Sequence, residues 1–311
     1  MSKSNNCASL VNRFREDVRF GLQFLTKNMA RKRDCELGKN VKLYYWRMSS
    51  DTENLGDYLS KVVVSHFMPQ SVTKRPFQRT KTLLAIGSIL GFRCQDVVVW
   101  GSGIISSHES KARYVRYSDL DIRAVRGPKT RQVMLDLGKK CPEVYGDPAI
   151  LMPFIYNPEM REKKYRVSLI VHHEHGELTI PKSVDIHRID ISTTDYEKVI
   201  DEIVQSDLVI SSSLHGIILA ETYGVPAVLM LRRDAMVFKY EDWYYSTGRM
   251  NPTIVRSIEE ALSAKPMELP DLSNMQKQLL DAFPSDLWVG KRNACKVVLE
   301  ECSSYVVDKK G

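Results

Sequence analysis

From residue 41 onward, short hydrophobic runs alternate with amphipathic stretches along the chain. The runs VKLYYW (41–46) and DVVVWGSGI (96–104) carry consecutive apolar residues, which is typical of strands buried on both faces of a parallel sheet. Between such runs apolar residues return at helical spacing, as at Leu59, Val63 and Phe67, and this predicts helices. The same pattern predicts further strands over 82–90, 119–127, 166–176, 184–190, 207–213 and 226–231, and helices over 54–68, 128–138, 195–206 and 215–224.

The repeated strand–helix units fall into two blocks, which the polar stretch Asn157–Lys164 separates. This arrangement predicts an α/β fold with two Rossmann-like domains, residues 41–157 and 165–285, that face one another across a cleft. A helix and tail over 286–311 complete the chain. In such folds ligands bind beyond the carboxyl ends of the strands, so we expect the functional site in the cleft.

Residues 1–40 form a basic amphipathic leader with a predicted helical character. Leu10, Phe14, Val18 and Leu22 recur at helical spacing, and arginine and lysine residues lie among them. Two interpretations of this leader stay open. The helix either lies on an anionic membrane surface or packs on its own domain with its charges in water.

Composition and charge limit the class of protein. The 311 residues carry a formal net charge of +7, which suits phosphorylated small molecules, anionic lipid or nucleic acid. Because the sequence lacks a nucleic-acid-binding motif, we expect no nucleic acid partner. The six cysteines show no CxxC spacing, which argues against zinc fingers and thioredoxin-type redox sites. With neither a bilayer-length apolar run nor a signal-peptide core, the sequence predicts a cytoplasmic protein.

The segment SSSLHG (211–216) joins a predicted strand to a predicted helix. Small residues let the backbone approach a ligand, and a helix that begins near His215 points free N–H groups at it. The serine hydroxyls either bind an anion or simply cap the helix. A helix cap does not need a histidine, and the imidazole of His215 suits proton transfer near neutral pH. We therefore predict an anionic substrate held by Ser211, Ser212, Ser213, Leu214 and Gly216, with His215 as the acid/base.

Gly101, Ser102 and Gly103 follow another predicted strand and let the backbone come close to a substrate. A dinucleotide fingerprint would need a third glycine, but Ser106 occupies that position. A P-loop is also missing from the sequence. We therefore expect neither NAD nor ATP as a cofactor.

Arg126 precedes a Gly-Pro turn at the end of a third predicted strand, where its guanidinium is expected to clamp an anion. His172 and His173 resemble a metal cluster, but their side chains alternate across a strand end and cannot easily face one ion. We therefore expect no metal site.

Six segments in chain order resemble the polysaccharide pyruvyltransferase family: NLGD, GSGI, VRGPKTR, YGDPAILMP, SSSLHGIILAETYGVP and FKYEDWYYSTG. The resemblance covers roughly Val41 to Gly248 and implies a GT-B-like arrangement of the two domains. It also implies that the pyruvyl unit of phosphoenolpyruvate is transferred, without a cofactor, to two hydroxyls of a sugar, which gives a cyclic ketal and phosphate. The acceptor expected from the resemblance is a hexose of a surface polysaccharide or of its lipid-linked precursor, met at the inner face of the cytoplasmic membrane.

The resemblance also implies roles for individual residues. His215 matches the favoured acid/base, and Arg126 matches a phosphoenolpyruvate ligand. Asp57 either serves as the partner carboxylate or caps the following helix. The remaining positions that match the family's substrate-binding segments are Asn54, Gly56, His173, Lys239 and Asp242.

This chain departs from the family pattern at Ser213, where many members carry arginine. Arg126, Lys239 or Arg232 is then expected to hold the phosphate. Two alternative functions stay open: a sugar-nucleotide glycosyltransferase on the same fold, and a non-catalytic carbohydrate- or lipid-binding protein that uses the leader. Neither alternative explains the ordered set of six motifs.

Overall fold

The computed structural model describes most of the chain that follows the leader. The described residues are 35–37, 40–47, 53–69, 79–91, 95–105, 115, 118–159, 162–172, 184–231 and 237–288. The predictions for most of the leader, for His173, for Arg232 and for the tail beyond residue 288 lie outside this part of the chain.

Five strands lie side by side in chain order and form the first sheet. These are β1 (Cys35–Glu36), β2 (Val41–Tyr44), β3 (Lys81–Leu84), β4 (Val97–Trp100) and β5 (Leu120–Ala124). Strand β1 is antiparallel to β2, and the other neighbours are parallel. All four residues of β4 are buried, which agrees with the unbroken apolar run in the sequence. Helix α1 (Leu55–Phe67) follows β2, and α2 (Pro128–Asp136) follows β5.

The second sheet is entirely parallel and has the order β7-β6-β8-β9-β10. Its strands are β6 (Ser168–Ile170), β7 (His187–Arg188), β8 (Val209–Ser211), β9 (Ala227–Met230) and β10 (Ile254–Val255). Because β7 and β8 lie on opposite sides of β6, the strand order reverses between β6 and β8. This reversal is the position at which doubly wound sheets bind their ligands.

The helices of the second half differ in how much of their surface is buried. They are α3 (Tyr196–Val204), α4 (Leu214–Thr222), α5 (Val237–Ser246), α6 (Ile258–Ser263) and α7 (Ser273–Asp281). Helix α3 is amphipathic, with Val199, Ile200 and Ile203 buried on one face. Helix α4 is buried almost all round, since Ile217, Ile218 and Leu219 have no exposed face, and it therefore lies inside the molecule.

The segment Pro148–Phe154 forms a 3₁₀ helix, which the hydrophobic pattern of the sequence did not predict. Its residues Ala149, Ile150, Leu151 and Met152 are fully buried. The segment packs against α1, α4 and α7, so it joins elements that follow both sheets in one hydrophobic core.

After the second sheet the chain returns to the first. The indole Nε1 of Trp100 in β4 donates a 2.8 Å hydrogen bond to the carbonyl of Leu279 in α7. Beyond α7, Trp288 Nε1 donates a 2.7 Å hydrogen bond to the carbonyl of Leu37. The α/β class is thus confirmed. The division into two Rossmann-like domains and the GT-B-like arrangement stay predictions.

Candidate functional site

The turn between β8 and α4 contains the first two predicted site serines, and both use their hydroxyls on the backbone. Ser211 Oγ donates to the carbonyl of Ser213 at 2.9 Å and accepts from the amide of Ser213 at 3.0 Å. Ser212 Oγ accepts from the amide of His172 at 2.8 Å. In this geometry the hydroxyls of Ser211 and Ser212 shape the turn, and their contact with a substrate stays a prediction. Gly216 is required nearby because a Cβ there would lie 2.4 Å from Ser211 Oγ.

Ser213 is the N-cap residue of α4, but its side chain makes no capping hydrogen bond. The helix begins at Leu214, which is buried, and has nine residues. Its first N–H groups therefore carry the partial positive charge expected of a helix N-terminus. The capping alternative for the serines is thus not realised through Ser213.

His215 lies in the first turn of α4, with 13% of its side chain exposed. Gly56, at the start of α1, lies against the imidazole, because a Cβ built on Gly56 would come within 1.9 Å of His215 Nδ1. Any other residue at position 56 would displace the ring. The NLGD segment therefore has a steric role at the site that its match to the family did not reveal.

Asp147 faces the other nitrogen of His215 and was missed in the sequence analysis. Its Oδ2 lies 3.6 Å from His215 Nε2, and its side chain is fully buried. The other oxygen, Oδ1, accepts from the amide of Ala149 at 3.1 Å and so caps the 3₁₀ helix. The motif YGDPAILMP contains Asp147, but an aspartate before a proline at a helix start reads as a cap. Both roles coexist at this position.

Asp57 lies in the first turn of α1 and belongs to the same cluster of charges. Burial raises the pKa of its carboxyl group to about 6, while the charges of His215 and Lys239 oppose the rise and Asp147 adds to it. Its Oδ1 lies next to Gly87, whose positive φ of 109° favours glycine. We call Asp57, Asp147, His215 and Lys239 the charged cluster.

Asn54 is the N-cap residue of α1 and is buried, yet its side chain does not cap the helix. The next amide, that of Leu55, donates 2.8 Å to the carbonyl of Ile191, which follows β7. This backbone contact fixes the start of α1 against the second sheet. The predicted contact of Asn54 with a substrate stays a prediction.

Lys239 lies in α5 and is the lysine of the charged cluster. The residue is 8% exposed, and its Nζ lies 5.0 Å from the centre of the Tyr240 ring. Tyr240 anchors this part of α5 to the serine turn, because its hydroxyl donates to the carbonyl of Ser212 at 2.7 Å.

Arg126 lies in a different environment from the predicted anion clamp. Its side chain has no exposed surface. It donates from Nε to Asp242 at 3.1 Å, from one terminal nitrogen to Ser88 Oγ at 2.7 Å, and from the other to the carbonyl of Ile104 at 2.7 Å. Arg126 can reach a substrate only by leaving these partners, so this geometry gives it a structural role.

Asp242 is also buried and acts on helix α2. It accepts from the amide of Thr130 at 2.9 Å and from the hydroxyl of Thr130 at 2.6 Å. Gly127 is needed because a Cβ there would lie 1.9 Å from the carbonyl oxygen of Asp242. The RGPKT motif therefore holds α2 against α5. The carboxylate of Asp242, which was predicted to bind substrate, caps α2 in this geometry.

The GSG turn after β4 also packs against protein groups. Gly101 has a φ of 93°, and a Cβ there would overlap Pro148 at 2.3 Å. A Cβ at Gly103 would lie 2.5 Å from the guanidinium carbon of Arg126. Ser102 is fully buried, and its Oγ has no hydrogen-bond partner. These three residues bring β4 close to the Asp147 and Arg126 segments.

Two further properties concern the part of the chain that the structure describes. There, no group of three His, Cys, Asp or Glu side chains is placed to hold a metal ion. None of the helices in those same residues combines the length and hydrophobicity that crossing a bilayer requires.

Comparison with known proteins adds a family match. A family model described as polysaccharide pyruvyl transferase matches residues 54–234, which is more than half of the chain. The succinoglycan biosynthesis protein ExoV of Rhizobium meliloti is 27% identical over 220 residues, covering 67% of this chain and 65% of that protein. An uncharacterized protein of Acanthamoeba polyphaga mimivirus is 29% identical over 164 residues, covering 50% of this chain and 55% of its own length. The chain therefore spans about half to two thirds of these relatives.

Proposed function

Since the chain belongs to the polysaccharide pyruvyl transferase family, we propose that it moves the pyruvyl unit of phosphoenolpyruvate onto two hydroxyls of one sugar. The product is a cyclic pyruvate ketal, and inorganic phosphate is released. The observation that carries this proposal is the charged cluster at the strand-order reversal of the second sheet. It offers a histidine, two carboxylates and an ammonium group beside a helix N-terminus.

Phosphoenolpyruvate brings a phosphate and a carboxylate, and two parts of the site suit these anions. The first N–H groups of α4 supply partial positive charge, and Lys239 supplies a full charge in a place largely shielded from water. Of the two described cations considered as replacements for the missing arginine at Ser213, Arg126 and Lys239, Lys239 is the one in the charged cluster. Lys239 therefore takes the phosphate in this proposal.

The proposed chemistry needs one acid and one base. Protonated His215 delivers its proton to the methylene carbon, and C2 becomes electrophilic. A sugar hydroxyl adds to C2, and its proton passes to the Asp57 carboxylate. The bond from C2 to the phosphate oxygen then breaks, and the electron pair leaves with phosphate. A second hydroxyl closes the ketal, and of the two hydroxyl protons one balances the methyl group and one leaves with phosphate.

Asp57 suits the role of base because its pKa of about 6 leaves it mostly ionised at neutral pH. Binding of a multiply charged anion nearby would raise that pKa further, since like charges favour the neutral form. The carboxylate would then accept the hydroxyl proton more readily.

The acceptor in this proposal is a hexose of an exopolysaccharide or of its lipid-linked precursor, and phosphoenolpyruvate is the donor with no further cofactor. The name of the Rhizobium relative, a succinoglycan biosynthesis protein, supports the polysaccharide class. We place the reaction at the cytoplasmic face of the membrane, with the basic leader as the contact. Liposomes with anionic lipid should bind the full chain but no longer bind it when residues 1–34, which precede β1, are deleted; equal binding would refute the contact.

The test measures phosphate released from phosphoenolpyruvate by the full chain, with and without a panel of β-galactosides and β-glucosides. Acceptor-dependent release, and a product heavier by one pyruvate less one water, is the expected result. His215→Gln should lower turnover by about 10²-fold or more, the size of a general acid's contribution, and the exposed His66→Gln should not. Protection from unfolding by UDP or GDP, with none by phosphoenolpyruvate, would instead favour a glycosyltransferase.

A further inference from the structure

We propose that Asp147 is the positioning residue of His215, and that it holds Nε2 so that the imidazole exchanges protons through Nδ1. The reaction that this serves rests on the proposed function, whereas the pairing itself rests on the geometry alone. The pairing joins two parts of the chain that are far apart in sequence.

Two buried atoms face each other without hydrogen-bond partners. Asp147 Oδ2 and His215 Nε2 are both buried, and neither has a partner. They lie 3.6 Å apart. Buried polar groups are nearly always paired because an unpaired one costs free energy. A shift of about 0.7 Å would bring them to the usual N–H···O distance of about 2.9 Å.

The carboxylate is held rigidly, so its position can determine that of the ring. Asp147 Oδ1 is occupied by the amide of Ala149, and Pro148 restricts the backbone that follows. On the other side, the amide of Gly146 donates to the carbonyl of Val125 at 3.1 Å. A Cβ on Gly146 would meet Leu279 at 2.8 Å, so helix α7 supports the loop from behind.

The two ring nitrogens of His215 therefore differ in their surroundings. Nε2 is enclosed with Asp147, whereas Nδ1 lies beside Gly56 at the start of α1, the helix that also carries Asp57. A carboxylate at Nε2 keeps the proton of the neutral ring on that nitrogen. Nδ1 then carries the lone pair and is the atom at which a proton is taken up and delivered.

The variant Asp147→Asn distinguishes the positioning of His215 from the capping of the 3₁₀ helix. Asparagine keeps an oxygen for the amide of Ala149 and is as good a cap as aspartate. Its amide group, however, can donate to Nε2 and so favours the tautomer with the proton on Nδ1. In a histidine–aspartate pair of this kind, replacing the aspartate by asparagine lowers turnover by up to about 10⁴-fold while the fold stays intact.

The experiment uses the full chain labelled with ¹⁵N-histidine, with His215→Gln to identify the signals of His215. The wild type should show the neutral His215 ring protonated at Nε2, and Asp147→Asn should lose that tautomer. With phosphoenolpyruvate and a working acceptor, Asp147→Asn should lower kcat at least about 10²-fold, with KM for phosphoenolpyruvate changed only a few-fold.

A wild-type ring protonated at Nδ1 would overturn the inference without any variant being needed. Wild-type kcat in Asp147→Asn, with an unchanged tautomer, would also overturn it and leave Asp147 as a cap. If Asp147→Asn does not fold, Asp147→Ser serves instead, because serine also caps a helix but has no carboxylate. A correct tautomer in a chain that never turns over phosphoenolpyruvate would defeat the proposed function and leave the pairing intact.

Discussion

Gly56 leaves just enough room for the imidazole of His215, so a single methyl group at this position should disturb the site. In Gly56→Ala the new Cβ would overlap His215 Nδ1 at 1.9 Å, and the ring or α1 must move. Because a misplacement of about 1 Å can cost about 10²-fold in rate, we expect a loss of kcat/KM of that order. Overpacking should also lower the free energy of unfolding by about 1–3 kcal/mol.

Gly224→Ala is the matched control for this prediction. Gly224 has a φ of 76°, and nothing lies within 4 Å of a Cβ built there. The strained backbone should cost about 1 kcal/mol, while activity per folded molecule stays at the wild-type value. Full activity in Gly56→Ala would mean that His215 does not need its observed position.

Asp57 should make stability depend on pH with a sign opposite to that of an ion-paired carboxylate. Its pKa rises from 3.8 to about 6 on folding, so this contribution to stability is complete below pH 3.8 and is lost as pH rises through about 6. Asp57→Asn should therefore raise the free energy of unfolding by up to about 3 kcal/mol at pH 8 and by about half as much at pH 5.

Urea unfolding of the full chain at the two pH values measures this effect. The exposed Asp119→Asn should change stability by less than about 0.5 kcal/mol at either pH. A gain in Asp57→Asn that is equal at both pH values would contradict the raised pKa. In the proposed reaction the same substitution removes the base, so the more stable variant should be less active.

At this scale the sequence predicted residue chemistry better than residue surroundings. His215 was identified because an imidazole exceeds what a helix cap needs, and it does lie in the charged cluster. Arg126 was read as a ligand because strand ends usually face a cleft, but its side chain is fully buried. Asp147 was overlooked because no element was predicted where it lies, and its oxygen faces a histidine that is distant in sequence. Burial depends on contacts distant in sequence, and no local pattern contains them.

At the scale of the elements, the packing of helix α5 against α2 depends on the buried ion pair between Arg126 and Asp242. Replacing Arg126 by Gln would leave the carboxylate of Asp242 buried without its cation. Breaking a buried ion pair in this way costs about 3–5 kcal/mol, and we expect the free energy of unfolding to fall by that amount. Denaturant unfolding measures it.

Lys129→Gln is a control on the same two helices, because Lys129 pairs with Glu241 at a partly exposed position. It should cost less than about 1 kcal/mol. If Arg126→Gln kept wild-type stability and instead raised KM for phosphoenolpyruvate, the original prediction of a direct ligand would be restored.

Element order was less predictable than element type. The buried runs gave most strand positions, yet β10 has two residues and leaves no periodic signal. The order β7-β6-β8-β9-β10 depends on which edges pair, and hydrophobic periodicity does not record this. The 3₁₀ helix Pro148–Phe154 escaped prediction because its apolar run is short and contains two prolines.

For the molecule as a whole, the return of α7 to the first sheet should be a main source of stability. Leu279 is fully buried, lies against the position where Gly146 would carry a Cβ, and its carbonyl accepts from Trp100. Leu279→Ala should lower the free energy of unfolding by about 2–5 kcal/mol. The exposed Leu269→Ala, at 43% exposure, should change it by no more than about 0.5 kcal/mol. Similar midpoints for the two variants in urea would contradict this view.

The charged cluster draws on both sides of the polar stretch 157–164, and this limits how hybrid enzymes can be made from relatives. Asp57 and Asp147 precede the stretch, and His215 and Lys239 follow it. A hybrid joined within this stretch would take Asp57 and Asp147 from one parent, and His215 and Lys239 from the other. To change the acceptor preference, single loops should therefore be exchanged around an intact charged cluster, rather than whole halves of the chain.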